Sequence, residues 1–202
     1  MELQDALAKI SEIRAQIART ETFRGYRSIT VGFSGLTALA AAAVQAVWLP
    51  EPGDHMTAYL TLWVGAAVVS LAATGIEMTV RCYRATSPWT VQLTWMAVEQ
   101  FLPCVLAGGM LTSVMVLYAP ESLWMLPGLW SILFSLGIFA SCRLLPRPIF
   151  WVAAYYLLGG GVCLAAGHAE AAFSPWAMAG TFGVGQLIIA AILYYTLEQT
   201  DE

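Results

Sequence analysis

Apolar residues run along this chain in six long blocks, about 29–49, 57–80, 90–118, 122–141, 148–166 and 174–197. Crossing about 30 Å of hydrocarbon takes roughly 20 such residues as a helix, and each block is close to or above that length. The breaks are short and carry turn chemistry: Pro50-Glu51-Pro52-Gly53-Asp54, Ser87-Pro88, Ala119-Pro120-Glu121, Pro146-Arg147-Pro148 and Gly167-His168-Ala169-Glu170. Proline lacks an amide donor and clashes with the preceding turn, and glycine is entropically costly in a helix, so both mark helix ends. Inside lipid a backbone amide finds no water, so each block must satisfy its own hydrogen bonds as a helix. The pattern predicts an all-α polytopic membrane bundle of six transmembrane helices over 28–198, ending in a short tail at 199–202.

The periodicity changes before the first block. Leu3, Leu7, Ile10, Ile13 and Ile17 recur at three- and four-residue steps, with Lys9, Glu12, Gln16 and Arg19 on the other face. That spacing predicts an amphipathic cytoplasmic helix within 1–27. Five basic and four acidic side chains nearly cancel there, so attraction to anionic lipid is weak, unlike a Lys- and Arg-rich surface helix. The same residues fit a short heptad seam. Residues 1–27 are therefore expected to pack under the cytoplasmic loops or to meet a second copy or a membrane-protein partner.

Composition supports the membrane reading: 59% of residues are hydrophobic and 11% charged, against about 25% charged in soluble domains. The net charge of −4 gives no reason to expect nucleic acid as a partner, but its distribution sets an orientation. Lys9, Arg14, Arg19, Arg24 and Arg27 precede the first block, Arg81 and Arg84 follow the second, and Arg143 and Arg147 follow the fourth. All nine basic residues thus fall on one side, which the positive-inside rule makes cytoplasmic, with both termini on that side. Glu51, Asp54, Glu121, Glu170 and both histidines fall on the other. The first block is longer than a signal-peptide core and follows a long polar segment, so a retained helix is expected.

Aromatic residues gather near the block ends, as interfacial anchors do. Trp48, Tyr59, Trp63, Tyr118, Trp124 and Trp176 lie toward the outer ends, and Trp89, Trp95, Trp151, Tyr194 and Tyr195 toward the inner ends.

Two carboxylates, Glu77 and Glu99, lie inside blocks, where an ionised group is costly and marks a functional candidate. Counting roughly 20 residues from Tyr118 and from Tyr59 puts both near the cytoplasmic edge. Arg81 is one turn beyond Glu77, at a spacing that permits a salt bridge. Pro103 removes the helical bond to the Glu99 carbonyl, which sits beside Gln100. Glu77, Glu99, Gln100, Pro103 and Arg81 thus form the candidate ligand or ion site, set against a reading as a charge cluster that fixes helix register. Ala107, Gly108 and Gly109, the run Gly159-Gly160-Gly161, and Gly180, Gly183 and Gly185 predict faces where helices approach closely, within the chain or toward a partner.

The inventory argues against familiar membrane chemistries. No histidine lies in a block for haem ligation, and no HExxH motif is present. Gly32-Phe33-Ser34-Gly35 has no histidine or lysine in any block to act as its base. Cys82, Cys104, Cys142 and Cys163 are singly placed without metal-ligand spacing. No catalytic residues, no metal and no cofactor are expected.

The stretch from Phe101-Leu102-Pro103-Cys104 through Gly108-Gly109-Met110-Leu111-Thr112, with Leu126-Pro127-Gly128-Leu129-Trp130 and Gly32-Phe33-Ser34-Gly35, resembles a group of uncharacterised bacterial integral membrane proteins with about six helices. The resemblance implies a six-helix fold and a bacterial source, hence a cytoplasmic (inner) membrane, and it carries no activity or site residues. Three functional expectations remain. The first is a non-enzymatic accessory, scaffold or sensory-regulatory component. The second is a small proton- or cation-linked transporter or channel using Glu99 and Glu77. The third is a lipid- or quinone-binding protein.

Overall fold

The protein, seen in a computed structural model, is described over residues 28–84, 88–142, 145–166 and 172–198. The amphipathic segment at 1–27 and the tail at 199–202 lie outside the described residues. The described chain is helical throughout its long elements: α1 (Ser28–Trp48), α2 (Met56–Arg84), α3 (Pro88–Tyr118), α4 (Leu126–Ser141), α5 (Ile149–Ala166) and α6 (175–198). A 3-10 turn over Pro120–Met125 leads directly into α4. Six of these stretches are long and apolar enough to cross a membrane. Their boundaries follow the proline breaks, with Pro88, Pro120 and Pro175 at helix starts, where the missing amide costs nothing. Pro103 is the exception, because α3 continues through it.

Hydroxyl groups in these apolar helices are mostly satisfied locally. Ser34, Thr37, Thr61, Thr74, Thr79, Thr112, Ser113 and Thr181 each donate to the carbonyl four residues back. A polar side chain with no water at hand uses the nearest backbone acceptor. Ser131 and Ser135 break this rule. Both are fully buried and donate across to α5, to the Tyr156 carbonyl at 2.8 Å and the Ala153 carbonyl at 2.8 Å.

Those two bonds run in opposite sequence directions, so α4 and α5 are antiparallel, and glycine sets their separation. A Cβ on Gly160 would lie 2.7 Å from the Gly128 carbonyl oxygen, and one on Gly128 would lie 2.8 Å from the Gly160 oxygen. Backbone touches backbone, which brings the serines within reach of carbonyls on the facing helix. The other close approaches give the order of the bundle. Gly137 of α4 receives the Phe101 ring of α3, Gly185 of α6 receives the Tyr156 ring of α5, and Gly183 of α6 faces Leu39 of α1. The helices therefore run α2, α1, α6, α5, α4, α3 around the bundle, with α2 and α3 only sparsely in contact.

The glycine clusters thus pack inside the chain at Gly160, Gly183 and Gly185, whereas Gly161 and Gly180 meet nothing within 4 Å. Gly108 comes only into ordinary contact with Leu133, and Gly109 meets nothing within 4 Å. The tight α3–α4 contact is at Gly137 instead. In α6 the turns over Ala179–Val184 widen to π geometry. Thr181 there shares its hydroxyl between the Ala177 and Met178 carbonyls, and Gly183 and Gly185 leave room for Leu39 and the Tyr156 ring.

The aromatic residues divide in a way that their positions along the chain did not predict. Trp48, Tyr118, Trp151 and Trp176 are strongly exposed at helix ends. Tyr59 (0% exposed) and Trp63 (4%) are core residues instead. Tyr59 meets Phe173 edge-on at 5.1 Å, and the Trp63 indole nitrogen donates to Gln45 Oε1 at 2.8 Å. An indole whose polar atom is satisfied inside has no need of an interface.

Candidate functional site

The gap between α2 and α3 belongs to an apolar cavity of about 450 Å³. Its origin is in how α2 is attached. Near the end of the bundle that carries Trp48, Met56 and Leu60 of α2 pack against Met115 and Leu126, and Tyr59 and Trp63 pack against α1 and Phe173. Further along, α2 is largely exposed, at Val64, Val68, Val69, Leu71, Ile76 and Val80. The helix is anchored at one end and stands off along the rest. Small residues at Ala38, Ala66, Ala67, Gly108 and Gly109 in the cavity wall leave space that larger side chains would fill. Val64, Val68, Leu71 and Gly109 are both wall and exposed surface, so the mouth opens sideways between α2 and α3.

The cavity is elongated along the bundle. Trp63, Thr112, Trp130 and Met178 close the end nearer Trp48, and Val31, Ser141, Leu145, Ile149 and Ile189 line the other. Trp130 and Ser141 are eleven residues apart on α4, which at about 1.5 Å per residue gives a length of roughly 16 Å. One wall is an aromatic ladder. Phe101 and Phe134 meet edge-on at 5.2 Å, and Phe134 and Phe182 at 5.5 Å. Tyr156 backs both Phe134 and Phe182 at 4.9 and 5.6 Å. Interlocked edge-to-face rings make this side of the cavity stiff.

Among the described residues, no side chain in the wall is charged. Three wall hydroxyls are already engaged: Thr112 accepts from Trp130 Nε1 at 2.9 Å and donates to the Gly108 carbonyl, Ser34 donates to the Thr30 carbonyl, and Thr74 donates to the Ser70 carbonyl. The side chains of Ser70, Gln186 and Ser141 are not, among the described residues. The Gln186 carboxamide is in the wall and has no hydrogen-bond partner among the described residues. Ser141, 3% exposed, keeps an Oγ without a partner among the described residues. Phe134 and Phe182 mark a shared level on α4 and α6, two helices that run in the same direction. Counting on from them at about 1.5 Å per residue puts Gln186 about 6 Å and Ser141 about 10 Å further along. The two groups are therefore about one helical turn apart in height.

The residues expected to form a site lie elsewhere. Glu77 is half-buried, three residues beyond Thr74, the last wall residue of α2. Arg81 contributes its backbone to α2, and its side chain is outside the described set. Glu99 is exposed on α3, two residues before the first α3 wall residue, Phe101. Gln100 is half-buried, its Oε1 without a partner among the described residues, and Pro103 is exposed. Glu77, Glu99, Gln100 and Pro103 do not line the cavity.

Cysteine and histidine chemistry gains no support from the geometry. The four cysteines are free thiols, and burial pushes the Cys142 thiol up from its ordinary range. Among the described residues no three His, Cys, Asp or Glu side chains group as metal ligands. His55 is exposed, and His168 and Glu170 lie outside the described residues.

A search of the sequence for charge passes over the groups that matter in the interior. Gln45, fully buried, donates from Nε2 to the Phe173 carbonyl at 2.6 Å while accepting from Trp63. Gln186, Ser131, Ser135 and Ser141 are equally silent on that criterion. A carboxamide inside an apolar block was the available signal, and both Gln45 and Gln186 carry it. Comparison with known protein families, characterised proteins and solved structures gave no match, so the resemblance to bacterial six-helix membrane proteins rests on its short motifs.

Proposed function

We propose that this is a six-span integral protein of a bacterial cytoplasmic membrane that holds a lipid-class ligand in the cavity between α2 and the rest of the bundle. In this reading it is a non-enzymatic accessory or sensory-regulatory component, and occupancy of the cavity is what it reports. Both termini face the cytoplasm, as the positions of the nine basic residues require.

The observation that carries the reading is a cavity of about 450 Å³ with a sideways mouth and no charged side chain among the described residues of its wall. Its volume falls in the roughly 300–1,000 Å³ range of small-molecule sites. Its length of roughly 16 Å matches half of the about 30 Å of hydrocarbon in a bilayer, the depth of one leaflet. A hydrocarbon chain can enter from the bilayer without leaving an apolar phase. A proton- or cation-linked pathway has less support, because the wall carries no carboxylate among the described residues and stops short of Glu77 and Glu99.

Native mass spectrometry of the full chain released from mild detergent tests the proposal. The expected result is a retained lipid-class adduct that is lost in Ala67→Phe, a substitution that fills the mouth from an exposed position on α2. A bare protein, or an adduct indifferent to that substitution, would overturn it. Cysteine substitutions at Glu51 and Arg147 should label from opposite sides of intact cells, and labelling from one side would remove the topology.

A further inference from the structure

Resting on the lipid-binding reading, we infer that the cavity selects a single-chain, uncharged ligand whose carbonyl oxygen is held by the Gln186 carboxamide. Three observations meet here. Among the described residues the wall has no charge to balance an ionised head, and an unpaired ion taken out of water is strongly disfavoured. Gln186 presents two N–H donors and a carbonyl acceptor with no partner among the described residues. Ser141, nearly fully buried at the end away from Trp48, adds a second group without a partner among the described residues.

Unmatched polar groups in an apolar wall cost free energy until something binds them, so the pair favours a ligand carrying complementary atoms. Their positions orient it. From the level of Gln186 to that of Trp130 is eight residues by the count through Phe134 and Phe182, or about 12 Å of wall. Along that stretch Thr112 and Trp130 satisfy each other. The tail belongs there, against the Phe101–Phe134–Phe182 ladder. The head lies toward Ser141, which in the N-in orientation is the cytoplasmic side, as for a lipid of the inner leaflet. A carbonyl acceptor takes the Gln186 N–H, and the Ser141 hydroxyl takes a further oxygen on the head. Two sources share this chemistry, an alkyl or prenyl quinone and a monoacyl ester.

The test uses full-length protein in lipid nanodiscs titrated with three probes: decyl-benzoquinone, monolaurin and dodecyl phosphate. At least one neutral probe should bind, with dodecyl phosphate at least tenfold weaker, and the tighter neutral probe identifies the source. Gln186→Leu should weaken the neutral probe about fivefold, the loss of one neutral hydrogen bond, and should reverse any lowering of its carbonyl stretch on binding. Ser141→Ala, which removes a single atom and keeps the helix end intact, should weaken it about twofold and remains informative if Gln186→Leu does not fold. Equal binding of dodecyl phosphate, or unchanged affinity in both variants, overturns head-group selection. If those variants are neutral while Ala67→Phe still abolishes binding, only this inference fails. If Ala67→Phe also has no effect, the lipid-binding reading fails with it.

Discussion

Gln45 and Trp63 lock α1 to α2 at the end where the cavity is closed: the indole Nε1 donates to the Gln45 Oε1 at 2.8 Å, while Gln45 Nε2 donates to the Phe173 carbonyl at 2.6 Å. One carboxamide thereby ties α1, α2 and the segment before α6 at a single buried point. Gln45→Leu keeps much of the volume but leaves an indole N–H and a carbonyl unpaired. Interhelical hydrogen bonds in membrane proteins average about 0.6 kcal/mol with a maximum near 1.7, and orphaned groups add to that. A loss of about 1–3 kcal/mol is expected, read as a lower thermal unfolding midpoint in detergent. An unchanged midpoint would show that the clamp does not hold α2.

The contact between α4 and α5 should discriminate between adjacent glycines. A Cβ on Gly160 would collide with the Gly128 carbonyl at 2.7 Å, whereas one on Gly161 meets nothing within 4 Å. Gly160→Ala should therefore destabilise by about 1–3 kcal/mol, in the range of overpacking, and Gly161→Ala should be close to neutral. Similar effects of the two on unfolding would contradict the backbone contact.

Tyr156 and Tyr59 are fully buried, and neither phenol oxygen has a partner among the described residues. Their rings are engaged with Phe134, Phe182 and Phe173. Removing an unmatched hydroxyl while keeping the ring relieves a cost of about 1–3 kcal/mol. Tyr156→Phe and Tyr59→Phe should thus be neutral or stabilising. A marked fall in stability in either would mean that its hydroxyl has a partner, such as an ordered water.

Glu77→Gln and Glu99→Gln separate the lipid-binding reading from the transport reading. Neither side chain lines the cavity, so lipid retention by native mass spectrometry should stay within about twofold, as expected for substitutions with no shared contact. Loss of the adduct in Glu99→Gln would bring the carboxylate back into the site.

Much of the fold is legible in one dimension because its physics is local. Each apolar block closes its own backbone hydrogen bonds as a helix, and prolines at 88, 120 and 175 stand at helix starts, so element type and extent follow from the chain itself. Glycines also announced close packing in general. Which glycine meets which neighbour did not follow: Gly128 with Gly160 and Gly185 with Tyr156 are matters of register between helices. The aromatic pattern misled at Tyr59 and Trp63, since a ring at a block end can face lipid or core with the same spacing.

The candidate site was the least legible part. Charge is conspicuous in an apolar sequence and drew attention to Glu77 and Glu99, yet the described residues of the cavity wall carry none. The sequence alone determined six long helices and their breaks, because these depend on local hydrogen bonding along the chain. Only the tertiary structure decided that α2 is anchored at Gln45 and stands off from α3, because a cavity is space left between surfaces that no single helix encodes.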